Sequence, residues 1–255
     1  MKLWLAVVGA VLGVSLAGAE TLPEQLTQAG VREFNRAYQA WDGAGFRAAA
    51  ELFQRAASTA PEAPAHFYWL GVAQFHRALH LQHRPGPPAN PAEAGAVMDE
   101  AIAALNRAVK LDPLHAESHA LLGTLYGMKI DGNLLRAAWF GPRIEKHRKA
   151  ALAHGSDNPR VRYLLGVCQF HTAKKPAARR EALTTLLAAE KLFAAEAQRP
   201  AGPLEPRWGH ASCLTFIGRT YEQLGQREEA ADYFGRALAL RPSDRLAREG
   251  LDRLT

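Results

Sequence analysis

Apolar and polar positions along this chain alternate with a helical period, in paired stripes that recur. From Ala211, apolar or small residues fall at Leu214, Ile217, Gly218 and Tyr221, spacings that place them on one helical face. After Gly225-Gln226 a second stripe follows at Ala230, Phe234 and Ala237, and Pro242 ends it. The spacing predicts two antiparallel helices joined by a tight turn. The same pattern starts at Gly30, Pro64, Ala116 and Pro159. Gly30 leads to Ala37, Phe46, Ala49, Phe53 and Pro61, with a weaker first helix in which Glu33 and Arg36 take stripe positions. Pro64 leads to Phe67, Leu70 and Gly71, then Ala101, Leu105 and Ala108 after an interruption. Ala116 leads to Leu122, Gly123 and Tyr126, and Pro159 to Leu165, Gly166, Ala182, Leu186 and Ala189.

Positions 211–244 form one complete copy, and this unit resembles the tetratricopeptide repeat (TPR), whose small and apolar signature positions it fills. The resemblance implies an all-α fold: a right-handed α-α superhelix of about five helical hairpins, covering 30–63, 64–115, 116–158, 159–210 and 211–244. Residues 245–255 would form a C-terminal capping helix, with Leu246, Leu251 and Leu254 at near-helical spacing. A nonapeptide recurs inside the array: Tyr68–His76 (YWLGVAQFH) and Tyr163–His171 (YLLGVCQFH) share seven of nine residues. Gln, Phe and His at its end are not signature positions, so the identity reflects either a duplicated repeat pair or a shared surface.

Three interruptions stand out. Prolines in Arg84–Pro91 and in Gln198–Trp208 oppose helix and predict loops. Leu134–Phe140 is apolar and flanked by Gly132, Gly141 and Pro142, which predicts a short separate helix before a degenerate one near Ile144–Leu152. Residues 77–98 or 129–145 can fold across a solenoid of this kind and fill its groove.

The first residues follow another logic. Lys2, an apolar run from Leu3 to Leu16, and Ala17-Gly18-Ala19 before Glu20 have the layout of a cleaved signal peptide over 1–19. That run is short for a bilayer span of ~20 residues. It predicts a periplasmic or secreted bacterial protein with no membrane span after cleavage. An excess of Arg over Lys and abundant Ala agree with a GC-rich bacterial source. The net charge of +6 favours solubility more than it selects a partner, and the Lys174-Lys175 and Arg179-Arg180 runs lack interleaved aromatics, so no nucleic acid is expected. Cys168 and Cys213 fall too far apart along neighbouring helices for a disulfide and are expected as free thiols.

Candidate chemistry is sparse. His76, His80 and His83 share a helical face, yet no Cys or carboxylate completes a metal shell, and no zinc-protease, phosphate-loop or nucleophile-elbow motif occurs. The expectation is a chain with no catalytic residues, no metal and no cofactor. In TPR proteins the first helix of each hairpin lines the concave wall. The resemblance therefore implies a peptide groove bearing Phe34, Tyr38 and Trp41, then Tyr68, Phe75 and His76, then Arg160, Tyr163, Phe170 and His171, with Ser212, Thr215 and Arg219 in the last copy. Aromatic anchors of ~150–250 Å² suit an unknown protein or peptide partner. Phe34 and Tyr38 stand where chaperone-binding relatives carry Lys and Asn, which disfavours a carboxylate clamp in the first copy. The alternative is a structural or assembly component of a cell-envelope complex, using outer faces and loops, with its groove filled by its own insertions.

Overall fold

The computed structural model describes residues 20–83 and 91–254. Among them it contains helices and no strand: α1 (Leu22–Ala40), α2 (Gly43–Thr59), α3 (Pro64–His83), α4 (Pro91–Leu111), α5 (Ala116–Ile130), α6 (Leu134–Gly155), α7 (Pro159–Thr172), α8 (Pro176–Ala197), α9 (His210–Gln223), α10 (Arg227–Leu240) and α11 (Arg245–Asp252). Local chemistry sets many of the boundaries. Thr21 and Glu24 form a reciprocal capping box ahead of α1. Asp42, Asn133, Asn158 and Asp244 cap α2, α6, α7 and α11 through side-chain oxygens that accept otherwise orphaned backbone N–H groups. Proline occupies the first turn of α1, α7 and α8, where its missing N–H removes no helical bond.

Consecutive helices pair as hairpins, and the hairpins stack into an α-α superhelix with a continuous core from α1 to α9. Close approach explains the small residues of the first stripes. A Cβ at Gly71 would sit 2.5 Å from Leu105 Cγ, and one at Gly166 would sit 2.7 Å from Leu186 Cγ. Phe34, Phe46, Phe53, Leu105, Leu186 and Phe234 are fully buried between these faces. The last hairpin is covered by α11, whose Ala247 and Gly250 lie against the Phe234 layer while Leu251 and Leu254 flank it. The predicted free thiols are present: Cys213 is buried and Cys168 half-buried.

Three elements differ from the sequence-based expectation. The first helix begins at Leu22, well before Gly30, because the Thr21 cap and Pro23 start it earlier. Pro91, expected in a loop, opens α4; residues 84–90 lie outside the described residues. The predicted break at Gly141-Pro142 does not occur, and α6 runs through both residues. Pro142 lacks one helical donor. That loss falls on an exposed face, where water satisfies the Ala138 carbonyl that Pro142 leaves without its helical donor. Leu134, Leu135 and Trp139 therefore face outward, while Phe140 turns inward and stacks on Tyr126 at 5.5 Å.

The superhelix closes on itself. Tyr38 Oη lies 3.2 Å from Ser212 Oγ and accepts from the Gly209 N–H at 3.0 Å; Ser243 Oγ donates to the Gln39 carbonyl. The first hairpin thus meets the start of α9 and the α10–α11 turn, and the end of the α8–α9 loop, at Trp208 and Gly209, is buried.

Candidate functional site: a self-occupied concave wall

Most of the ten predicted groove residues are not free surface. Phe34, Tyr38, Tyr68, Phe75, His76, Arg160, Tyr163 and Phe170 are all buried. Trp41 is half-buried, and His171 alone among the ten is exposed. The occupant of the N-terminal half is the chain's own α8–α9 loop. Trp208, 1% exposed, sets its ring 5.2 Å from His76 and donates its indole N–H to Tyr68 Oη at 3.3 Å. The Trp69 indole N–H donates to the Leu204 carbonyl at 3.1 Å. Gly209 ends the loop at φ +107°, a conformation that side chains rarely adopt, and this turn presents its N–H to Tyr38. The sequence reading placed Gln198–Trp208 as a loop, yet assigned groove filling to other insertions; only a lone tryptophan among prolines hinted at this role.

His76 sits inside that packing, surrounded by Phe34, Tyr38, Phe46, Phe75 and Trp208. Its Nδ1–H donates to the Val72 carbonyl at 2.9 Å. Burial disfavours the imidazolium and, with a smaller contribution from Arg241, lowers its pKa to about 3. It is a neutral core histidine.

Arg160 is likewise structural. Its guanidinium donates to Glu117 at 2.8 Å and to both oxygens of Glu196, at 2.9 and 2.5 Å. Glu117 also accepts from Asn158 and from the Tyr68 hydroxyl. Burial alone would weaken the Arg160 charge, but the paired carboxylates outweigh it and raise the pKa. Burial and Glu117 push the Tyr68 phenol well up. This network ties α3, α5, α7 and α8 together and commits Arg160 to two carboxylates of its own chain. Among the described residues no group of three or more His, Cys, Asp or Glu is arranged to hold a metal ion. His119 and His147 form a pair, Nδ1 to Nδ1 at 2.8 Å, with His119 Nε2–H donating to the Pro113 carbonyl at 3.0 Å.

Among the described residues, the rings of α7 and α9 are less covered. There Phe216 stacks edgewise on Phe170 (5.2 Å) and His171 (5.7 Å), and Arg219 lies over both phenyl rings. A second feature, absent from the sequence reading's candidates, is the outer edge of α6. Leu134, Leu135 and Trp139 are 85%, 83% and 65% exposed. Leu135 and Trp139 border a cleft of about 980 Å³ whose apolar wall includes Leu81, Met98 and Met128. Five cations (Arg136, Arg143, Lys146, Arg148, Lys149) are exposed on the same helix against the lone carboxylate of Glu145. The signal was in the sequence as an apolar run with interspersed arginines, but the expected helix break concealed it.

Known proteins of similar shape share this architecture. A thermophilic TPR protein of Thermus thermophilus is 17% identical, with a TM-score of 0.63 over 91% of this chain and 98% of that one. The Cut9–Hcn1 hetero-tetramer of the APC/C gives 17% identity and a TM-score of 0.57 over 96% of this chain and 44% of that one. These likenesses show the fold. No curated protein matches the sequence. Residues 34–80 match the tetratricopeptide repeat. Residues 72–253 match the family described as regulator of microtubule dynamics protein 1-3, and the chain belongs to that family of TPR-repeat proteins.

Proposed function

We propose that the protein is an exported, non-catalytic protein-interaction module that docks a partner on the outer edge of α6, its aromatic concave wall being largely self-occupied. The observation that carries this reading is the contrast in exposure: Trp208 and the rings it covers are buried, whereas Leu134, Leu135 and Trp139 face solvent together. Exposed apolar clusters of this kind mark interaction sites in soluble proteins. The cleft is lined partly by Met98 and Met128, whose flexible side chains repack readily around a guest. The surrounding cations favour acidic flanks. The partner that fits is a protein segment with an apolar helical face and acidic neighbours.

A photo-cross-linking residue in place of Trp139 should join the protein to a partner of its own compartment, and Leu135→Glu should abolish the adduct. Adducts formed only from the Tyr163 position would return the working surface to the concave wall.

Export rests on the leader-like pattern of residues 1–19. Among the described residues no helix is long and apolar enough to cross a membrane. We assign the chain the binding fold of its family without the microtubule partner, since such a leader would carry it out of the cytoplasm. Secreted material should begin at Glu20 by N-terminal sequencing; retention of Met1 in the cell's soluble fraction would overturn the assignment.

A further inference from the structure

The exposed edge of α6 shares a cleft with a surface of opposite charge on α4. Leu134, Leu135, Ala138, Trp139 and Pro142 are all exposed, at spacings that place them on one helical face. Leu135 and Trp139 form one wall of the cleft, and α4 supplies another through Ala94, Gly95 and Met98. Leu134, 85% exposed, lies outside that lining and packs into nothing of its own chain. A Cβ at Gly95 would meet no heavy atom within 4 Å, so α4 leaves room for an incoming side chain.

The charges divide between the same two sides. On α6 the exposed cations, Arg136, Arg143 and Lys146 among them, outnumber the one carboxylate of Glu145. Along α4 and at the end of α5 the balance reverses. Asp99, Glu100 and Asp131 are exposed and Glu93 is half-buried. Lys129 pairs with Asp99, and Arg77 lies 3.8 Å from Glu93 and 4.0 Å from Glu100. Four carboxylates against two cations leave this side acidic. A partner that was acidic throughout would suit α6 and be repelled by α4.

Resting on the reading of α6 as the docking edge, we propose that its partner is a second copy of this chain, with α6 of each copy laid along α4 of the other across a two-fold axis. A two-fold interface uses one patch twice, so that patch must complement itself. Here the basic, apolar edge of α6 and the acidic, apolar-walled side of α4 border one cleft, and α4 is itself the apolar helix with acidic neighbours that α6 requires. The symmetry makes the contact twice, toward the ~1,200–2,000 Å² that stable association buries. The charge pairs at its rim set register and speed encounter more than they add affinity.

Sedimentation equilibrium of the purified full chain should show a monomer–dimer equilibrium in the micromolar range. It should weaken about tenfold between about 50 and about 500 mM salt, as the charges are screened. Leu134→Glu changes an exposed side chain and Gly95→Gln fills open space on a helix; each should weaken the dimer about tenfold or more at unchanged thermal stability. Two charge reversals then identify the pairing. Arg136→Glu with Arg143→Glu, and Asp99→Lys with Glu100→Lys, should each give a monomer alone. Mixed together, the two variants should form a heterodimer, because both α6–α4 contacts then join opposite charges. Where thermal melting shows that a reversed variant does not fold, Leu134→Glu and Gly95→Gln decide the outcome. A monomeric wild type, a dimer unmoved by Leu134→Glu and Gly95→Gln, or folded reversed variants that fail to pair when mixed would overturn the proposal. A monomer that still forms the Trp139 adduct with another protein would remove the second copy and leave the α6 docking edge standing. A monomer that instead co-sediments with phosphatidylglycerol vesicles would put a lipid surface on that edge and remove both readings.

Discussion

The two copies of the repeated nonapeptide carry nearly the same residues into different surroundings. In both, glycine admits a leucine of the partner helix, Leu105 at Gly71 and Leu186 at Gly166. In both, the tyrosine and the phenylalanine are buried. The copies part at their last residue and at what covers them. His76 is enclosed by rings and sealed by Trp208. His171 is exposed beside Phe216, which is itself only half-buried, and Arg219. Equal sequence therefore fixed the hairpin packing, while a distant loop decided which copy became core and which stayed at an open mouth.

The covers offer the largest break of this comparison. Trp208→Ala should cost ~3–5 kcal/mol, since it removes a fully buried ring and leaves a cavity against His76 and Tyr68. Phe216→Ala removes a half-buried ring over the second copy and should cost ~1–3 kcal/mol. Urea unfolding followed by circular dichroism measures both. A Trp208 variant as stable as wild type would mean that the loop rests on the wall without sealing it.

How much of this was legible beforehand follows from the range of the forces involved. Periodicity and proline placement are local, so the paired stripes, the turn at Gly225-Gln226, the terminal helix and the free cysteines could be read directly. The places of Tyr68, His76 and Tyr163 on the first helices of their hairpins could be read too, because they follow from the repeat frame. Their accessibility could not. Trp208 lies 140 residues from Tyr68 along the chain, and no repeat frame assigns a proline-rich loop to the interior. Arg160 was picked as a groove cation for its position, but Glu196, which occupies it, sits on the second helix of its hairpin, outside the wall positions considered. The continuous α6 was hidden by a rule that holds for buried helices: Pro142 breaks a bond whose loss matters little on an exposed face. That misreading also hid the apolar edge made by Leu134, Leu135 and Trp139.

Acid should separate the two histidines with a smaller effect. His76 is neutral in the folded protein down to a pH of about 3, whereas the unfolded chain protonates near the ordinary histidine value of 6.5. Below 6.5 the unfolded state binds more protons, so this contribution is intact above that pH and is lost progressively as pH falls toward 3. At pH 5 the loss from His76 is about 2 kcal/mol, from ~1.4 kcal/mol per pH unit. Other histidines add to the total; burial and the nearby His119 lower His147 to about 4. The contribution of His76 is therefore read as a difference in slope. Stability of His76→Gln, measured by urea midpoints from pH 7.5 to 4.5, should fall less steeply than that of wild type by about that amount. His171 is also held below its ordinary value, by burial of its inner edge and by the Arg219 and His83 charges. The residue is exposed, so water screens those effects, and His171→Gln should change the slope by less than ~0.5 kcal/mol over the same range. Equal slopes for the two variants would place both imidazoles in equivalent surroundings and remove the asymmetry that Trp208 creates.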